Sequence, residues 1–72
     1  MLKNNETEIE GVITENLPNT FFKVETIDGK IFLCTLSGKM RIHHIRVLPG
    51  DKVRFVVTPY DPDKGRITYK LR

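Results

Sequence analysis

The amino-acid sequence contains no alanine, glutamine or tryptophan, and it has one cysteine, Cys34, among its 72 residues. A single cysteine excludes an intramolecular disulfide and fits a reducing compartment. No apolar run approaches the roughly 18 residues of a membrane-spanning helix, and residues 1–6 lack the apolar core of a signal peptide. We therefore expect a cytoplasmic protein that is monomeric and has no membrane partner.

The residues that are abundant favour β-structure. Val, Ile, Thr, Phe and Tyr are common, whereas the strong helix formers Ala and Gln are missing. A chain of this length makes one small domain, near the lower size at which a single core supports a fold. The sequence predicts one all-β domain, with residues 1–5 as a flexible N-terminal tail.

The net charge of +3 is distributed unevenly along the chain. Residues 1–36 carry three Lys and six acidic residues, and residues 37–72 carry nine Lys or Arg and three Asp. A basic half beside an acidic half indicates a docking surface for a polyanion. An ordinary solvated face is the alternative that charge alone leaves open.

Apolar–polar alternation predicts five strands, the first over 7–14 and the second from 22 to about 27. Gly11 indicates a bulge or bend in the first strand. Asp28-Gly29 predicts a two-residue hairpin with positive φ at both positions. The third strand, 30–36, is nearly all apolar, so we expect it to be central and covered on both faces.

The second half of the chain predicts two more strands separated by a loop. Val53, Phe55 and Val57 alternate with Lys52, Arg54 and Val56 in the fourth strand. Residues 59–65 have the composition of a turn-rich loop. In the fifth strand the alternation places Ile67, Tyr69 and Leu71 on one face. The opposite face is expected to be basic, and it consists of Arg66, Thr68, Lys70 and Arg72.

Residues 37–46 do not alternate as a strand would. Ser37 is a suitable helix N-cap, and a short helix here would place Ile42 and Ile45 on one face, where they would close the barrel. Met40 would then be exposed among the cations, available to pack against a base. Five strands with a helix between the third and fourth are the layout of an OB-fold; an SH3-like barrel is the competing arrangement.

Other chemistries find little support in the sequence. His43 and His44 are adjacent, so they cannot converge on one metal ion, and no cysteine pair or acidic triplet accompanies them. Asp61 and Asp63 flank a proline and fit turn chemistry. Without a phosphate loop or nucleophile motif, the sequence predicts a non-enzyme with no metal or cofactor.

Three aromatic residues are candidates for base stacking. OB-folds often stack bases on aromatic rings. Phe32 lies in the apolar third strand and is expected in the core, as is Cys34. Phe21 lies opposite the apolar face of the second strand, so we expect it to be exposed. Tyr60, beside a turn near the basic strand, is the best stacking candidate, although its hydroxyl could equally anchor that turn.

Five motifs occur in the order typical of one family. They are Leu17-Pro18-Asn19, the segment 37–41 (SGKMR), the segment 45–53 (IRVLPGDKV), Pro59-Tyr60-Asp61 and the segment 64–67 (KGRI). Together they cover essentially the whole chain, which closely resembles bacterial translation initiation factor one. The resemblance implies a single OB-fold domain of the S1-like type.

The same resemblance implies a function and a set of contact residues. Members bind the small ribosomal subunit in its decoding A site, contact the 16S-type rRNA and ribosomal protein S12, keep tRNA out of that site and support the other initiation factors. The rRNA-binding residues carried over by position are Lys39, Met40, Arg41 and Arg46, with Lys64, Arg66 and Lys70 as further candidates.

This sequence departs from the family at a few positions. Many members have His where this chain has Lys30 or Thr35, and Asn-Tyr where it has His43-His44. Lys30 retains a hydrogen-bond donor and His44 retains a flat ring. We therefore expect the individual contacts to differ from those of other members and the role of the protein to be the same. A cold-shock type RNA chaperone is the alternative function, but it needs exposed aromatics in the central strands. A protein-docking barrel would leave the charge asymmetry unexplained.

Overall fold

The computed structural model describes residues 6–18 and 20–71. The strands are β1 (Thr7–Asn16), β2 (Phe22–Thr26), β3 (Ile31–Leu36), β4 (Lys52–Thr58) and β5 (Asp61–Lys70), and the helix α1 (Gly38–Ile42) lies between β3 and β4. This is the predicted architecture. The expected N-terminal tail, Asn19 and Arg72 lie outside the described residues. Within the described ranges, no helix has the length and apolar character needed to cross a bilayer.

The five strands form a closed barrel in the order β1-β2-β3-β5-β4. β1 takes part in two antiparallel ladders, with β4 over residues 7–12 and with β2 over residues 11–16. β3 and β5 pair in parallel and close the barrel. The two ladders overlap in the middle of β1, at Gly11 and Val12.

Gly11 lies in this overlap and is required by close packing. A Cβ atom at this position would lie 2.6 Å from Val24 Cγ1 and 2.9 Å from the carbonyl oxygen of Glu25. Gly11 predicts a bulge or bend, and the register shift of the β1–β2 ladder lies further along, between Ile13 and Glu15. The glycine permits close contact between strands, and the bulge is formed further along the strand.

The hairpin between β2 and β3 has a different turn from the one predicted. Thr26 and Lys30 pair across a three-residue loop, and the Gly29 N–H donates to the Thr26 carbonyl (3.0 Å). Gly29 alone in this loop has a positive φ, of 87°. This is the turn that ends in a left-handed glycine. The Thr26 hydroxyl donates to Asp28, and that hydrogen bond is the main reason why the pKa of Asp28 is lowered.

β3 is central in its pairing, because β2 and β5 flank it. The expectation that it is covered on both faces is wrong. Phe32 and Cys34 are buried, whereas Ile31 on the other face is 48% exposed. Because the barrel closes around a single core, only the inward-facing residues of β3 are covered.

The core of the barrel comes from alternate positions of the strands and from two residues outside them. Phe32 and Phe55 pack with ring centroids 5.1 Å apart, at an interplanar angle of 55°. Phe32 and Cys34 are therefore core residues, as predicted. Burial raises the pKa of the Cys34 thiol to about 12. The buried apolar residues are Ile13, Val24, Phe32, Cys34, Met40, Val47, Val53, Phe55 and Ile67.

β5 differs from its prediction at both ends. It begins at Asp61, so most of the segment read as a loop is strand, and the turn from β4 consists of Pro59 and Tyr60. A register shift near Thr68 separates Phe55↔Ile67 from Arg54↔Tyr69. Tyr69 thus turns outward, and its ring lies 5.7 Å from the Arg54 guanidinium. The predicted continuous basic face of β5 is wrong beyond Ile67.

Candidate nucleic-acid interface

The start of α1 is fixed by Ser37. Its Oγ accepts a hydrogen bond from the Met40 N–H (3.3 Å), which is the predicted N-cap. The Ser37 N–H donates to the carbonyl of Ile67 in β5 (2.9 Å). A five-residue helix is too short to be stable alone, so these contacts and its packing hold it on the barrel.

The end of α1 is closed by a Schellman motif that the sequence did not predict. The Ile45 N–H donates to the Met40 carbonyl (3.0 Å), and the His44 N–H donates to the Arg41 carbonyl (3.1 Å). His44 has φ of 54° and takes the left-handed position that is usually glycine or asparagine. His44 therefore has a structural position, and the chain after it turns back toward the barrel.

The roles predicted for the apolar residues of this segment are reversed. Met40 is only 2% exposed and fills the barrel end, whereas Ile42 is 74% exposed and Ile45 is 36% exposed. The helix ends at Ile42, so Ile45 does not continue its face. The expected exposure of Met40 is wrong, because its side chain supports the helix from below and is not presented to solvent.

Three predicted contact residues lie in α1 or shortly after it. Lys39, Arg41 and Arg46, which we call the helix-end cations, are all exposed. Among the residues that the structure describes, none of the three forms an ion pair. Three uncompensated positive charges thus project from one end of the barrel. Such an arrangement can bind a phosphate backbone.

Elsewhere, acidic residues neutralise part of the positive charge. The four ion pairs of the described residues are Lys23–Glu15 (3.4 Å), Arg54–Glu10 (3.0 Å), Arg66–Glu6 (2.9 Å) and Lys70–Asp51 (3.6 Å). Arg66 and Lys70, both predicted to bind rRNA, are therefore engaged within the chain. Lys70 also donates to the Arg46 carbonyl (2.9 Å) and so holds the segment that carries a helix-end cation.

An apolar groove runs beside two of the helix-end cations, Arg41 and Arg46. It consists of two adjoining depressions, of about 490 and 410 Å³, that share Phe22, Leu36 and Arg41. Arg46 and His44 line the larger depression. The groove offers apolar walls for a base and cations for its phosphate. Phe22 and Leu36 were not predicted as site residues, since alternation marks them simply as strand residues.

The remaining predicted residues lie away from the helix-end cations. Tyr60 is 84% exposed in the β4–β5 turn, at the opposite end of β5 from the Ser37–Ile67 contact. Lys64 lies over the ring of Phe21, with Nζ 6.0 Å from the ring centroid. Phe21 was expected to be exposed, but it is half-buried. Lys64 and Arg66 both line a depression that includes Phe21.

The described part of the chain contains no group of three or more His, Cys, Asp or Glu side chains arranged to hold a metal ion. His43 is the C-cap of α1, and His44 ends the Schellman motif. Both histidines are thus accounted for by the way the helix ends.

A closed five-stranded barrel with one short helix between β3 and β4 defines an OB-fold protein. The chain belongs to the translation initiation factor 1A / IF-1 family, whose profile matches residues 1–72. This confirms the resemblance read from the five motifs. The protein is therefore a translation initiation factor, which is a non-enzymatic kind of protein that associates with the ribosome.

Two of the solved structures that are similar to this chain come from different kinds of protein. The solution structure of translation initiation factor one from the Wolbachia endosymbiont strain TRS of Brugia malayi has a TM-score of 0.81 and 36% sequence identity, covering 94% of this chain and 80% of that one. The crystal structure of YjeQ from Thermotoga maritima has a TM-score of 0.74 and 28% identity. That match covers 92% of this chain but 23% of YjeQ, so the chain corresponds to about a quarter of that protein.

Proposed function

We propose that this factor binds the small ribosomal subunit at the decoding A site through rRNA contacts. Its bulk then blocks premature tRNA entry, and its position beside ribosomal protein S12 supports the other initiation factors. The observation that carries this proposal is the set of helix-end cations. They are exposed, they lie on one end of a barrel of the initiation-factor family, and no ion pair of the described residues neutralises them.

The mechanism requires no chemical step. Lys39, Arg41 and Arg46 bind rRNA phosphates, and the counterions released from the RNA contribute affinity that falls with salt. The groove at Phe22 and Leu36 accepts an unstacked base, since RNA is recognised largely through shape and splayed bases.

The other predicted contact residues have supporting roles in this proposal. Met40 acts through the helix that it anchors. Lys70 positions Arg46, while Lys64, Arg66 and Tyr60 form a second surface along β5 and the turn before it.

Replacing a helix-end cation tests the proposal. We expect Arg41→Ala and Arg46→Ala each to weaken binding to purified small subunits by about tenfold, because each removes a charged hydrogen-bond donor. Each should also lower the slope of log affinity against log salt by about one unit. Binding is measured at equilibrium with a labelled factor across a salt series.

Lys52→Ala is the matched control. Lys52 is exposed, has no ion pair among the described residues and lines a different depression, with Glu10 and Glu25. Lys52→Ala removes one positive charge, as each arginine variant does. Because Lys52 lies outside the proposed contact, this variant should change the affinity little. Unchanged binding in both arginine variants, with thermal unfolding also unchanged, would show that Arg41 and Arg46 do not contact the rRNA.

The same salt series separates the proposal from a general RNA chaperone. An A-site factor should prefer the small subunit over unstructured RNA at every salt concentration. Equal affinity for both ligands would favour the chaperone. The outward-facing residue Ile31 in β3 is aliphatic, which argues against a stacking platform on that strand.

A further inference from the structure

Glu6 lies immediately before β1 and reaches across β4 to a cation on β5. Glu8 in β1 pairs with Val56 in β4, and Val56 pairs with Arg66 in β5, so these residues form a row on the outside of the barrel. From two positions before Glu8, Glu6 places its Oε2 2.9 Å from Arg66 Nη2. The side chains of Glu6 and Arg66 are both partly exposed.

This ion pair lies at the edge of a depression of about 290 Å³, which we call the Phe21 cleft. Thr35, Lys64 and Arg66 contribute to its lining beside Phe21, and Glu6 and Asp61 add two carboxylates. Lys64 lies over the Phe21 ring. Because the Lys64 side chain is flexible, a base that stacks on the Phe21 ring can displace its ammonium, and the phosphate of that nucleotide can then bind the two cations.

The carboxylate of Glu6 opposes that use of the cleft. It occupies the guanidinium of Arg66 in the place where a phosphate would bind, and its negative charge repels the phosphate. An ion pair between exposed groups is weak, so a ligand that also stacks on Phe21 can displace it. A ligand that offers only negative charge gains little by replacing the Glu6 carboxylate at Arg66.

We propose that Glu6 is a specificity-determining residue of a second nucleic-acid contact, the Phe21 cleft, where it competes with phosphate for Arg66. This inference rests on the proposed function only in that the ligand is RNA. It does not depend on where the factor binds the ribosome.

Glu6→Gln tests the competition directly, since it keeps the length and the hydrogen-bonding capacity of the side chain but removes its charge. Binding of a labelled single-stranded oligoadenylate at low salt should become about twofold to fivefold tighter, the range that an exposed ion pair represents. Glu8→Gln is the matched control. It changes the net charge equally from a neighbouring position, but Glu8 forms no ion pair among the described residues. An equal change in both variants would overturn the proposal.

Two further variants make the test independent of any effect on folding. Phe21→Leu keeps an apolar side chain but removes the stacking surface, and it should weaken oligoadenylate binding by about fivefold or more. Adding Arg66→Ala to Glu6→Gln should abolish the gain. Unaltered binding in Phe21→Leu would show that no base occupies the cleft.

Parallel measurements on small subunits distinguish this inference from the proposed function. If Arg41→Ala leaves subunit binding intact, the A-site proposal fails while the oligoadenylate result still decides the role of Glu6. If Glu6→Gln has no effect on oligoadenylate, the competition is excluded while the helix-end cations are judged on the subunit data.

Discussion

Met40 is the buried residue of α1, and its side chain fixes how the helix sits on the barrel. It packs into the same core cluster as Val47 and Ile67. The helix-end cations on either side of it are therefore held by one apolar contact below and two caps at the ends. A residue that contributes no charge sets the geometry of those that do.

Shortening Met40 should therefore cost much more stability than shortening its neighbour. We expect Met40→Ala to lower the free energy of unfolding by about 2–5 kcal/mol, because it leaves a cavity in the core. Ile42→Ala removes a similar volume from an exposed position and should change it by less than about 0.5 kcal/mol. Urea unfolding of both variants checks this. Equal destabilisation would contradict the assignment of Met40 to the core.

The burial of Met40 and the exposure of Ile42 could not be predicted from the sequence. A helical projection that includes Ile45 assumes that the helix continues to that residue. The left-handed conformation of His44 ends it earlier, and a histidine gives little signal for that conformation. The charges of Lys39, Arg41 and Arg46 were predictable as exposed because burial of an unpaired cation is costly. The apolar positions depended on where the helix stops.

At the scale of elements, α1 is defined by its ends. Ser37 caps one end, and His44 and Ile45 close the other through bonds to the Arg41 and Met40 carbonyls. His44 does this in a conformation that is unfavourable for a residue with a Cβ atom.

Glycine should consequently be favoured at one of the two histidines and disfavoured at the other. We expect His44→Gly to raise the free energy of unfolding by about 0.5–1 kcal/mol, since glycine adopts positive φ without strain. His43→Gly should lower it by a similar amount, because His43 has φ of −87° and glycine there adds only disorder to the unfolded chain. Thermal unfolding measures both. If His43→Gly also raised the free energy of unfolding, the left-handed conformation of His44 would not explain the stabilisation by His44→Gly.

The strands illustrate how far alternation carries a fold prediction. It identified β1, β2 and β4 with the correct buried faces, because each keeps a regular period of two along its buried residues. In β5 the bulge at Thr68 interrupts that period, and nothing in the local sequence marks the extra residue. The Phe21 cleft could not be predicted either, since Phe21, Thr35 and Arg66 meet only when β3 and β5 pair.

At the scale of the whole molecule, the β3–β5 seam closes the barrel, and Cys34 pairs with Gly65 at this seam. A Cβ atom on Gly65 would lie 2.8 Å from Phe55 Cδ2 and 3.2 Å from the Cys34 sulfur. The seam is therefore tightly packed around a thiol that burial keeps neutral.

Stability should fall at alkaline pH because of this thiol. Its pKa rises from 9.0 to about 12 on folding, so the unfolded chain loses the proton first. The stabilising effect is complete below pH 9 and declines as pH rises toward about 12, by at most about 1.4 kcal/mol per pH unit. Urea unfolding at several alkaline pH values should show a shallower decline for Cys34→Ala than for the native chain. If stability declined equally with pH in both proteins, groups other than Cys34 would be responsible for the decline.

The order of strand pairing also constrains when this factor can first become functional during its own synthesis. β5 is needed by both β3 and β4, and it comprises residues 61–70 of the chain. Until those residues are available, β3 lacks its parallel partner, the carbonyl of Ile67 that receives Ser37 is missing, and Lys70 cannot hold Arg46. A nascent chain that stops before β5 therefore has neither a closed barrel nor an anchored helix. We therefore expect the contact surface to become ordered only after residues 61–70 have been added.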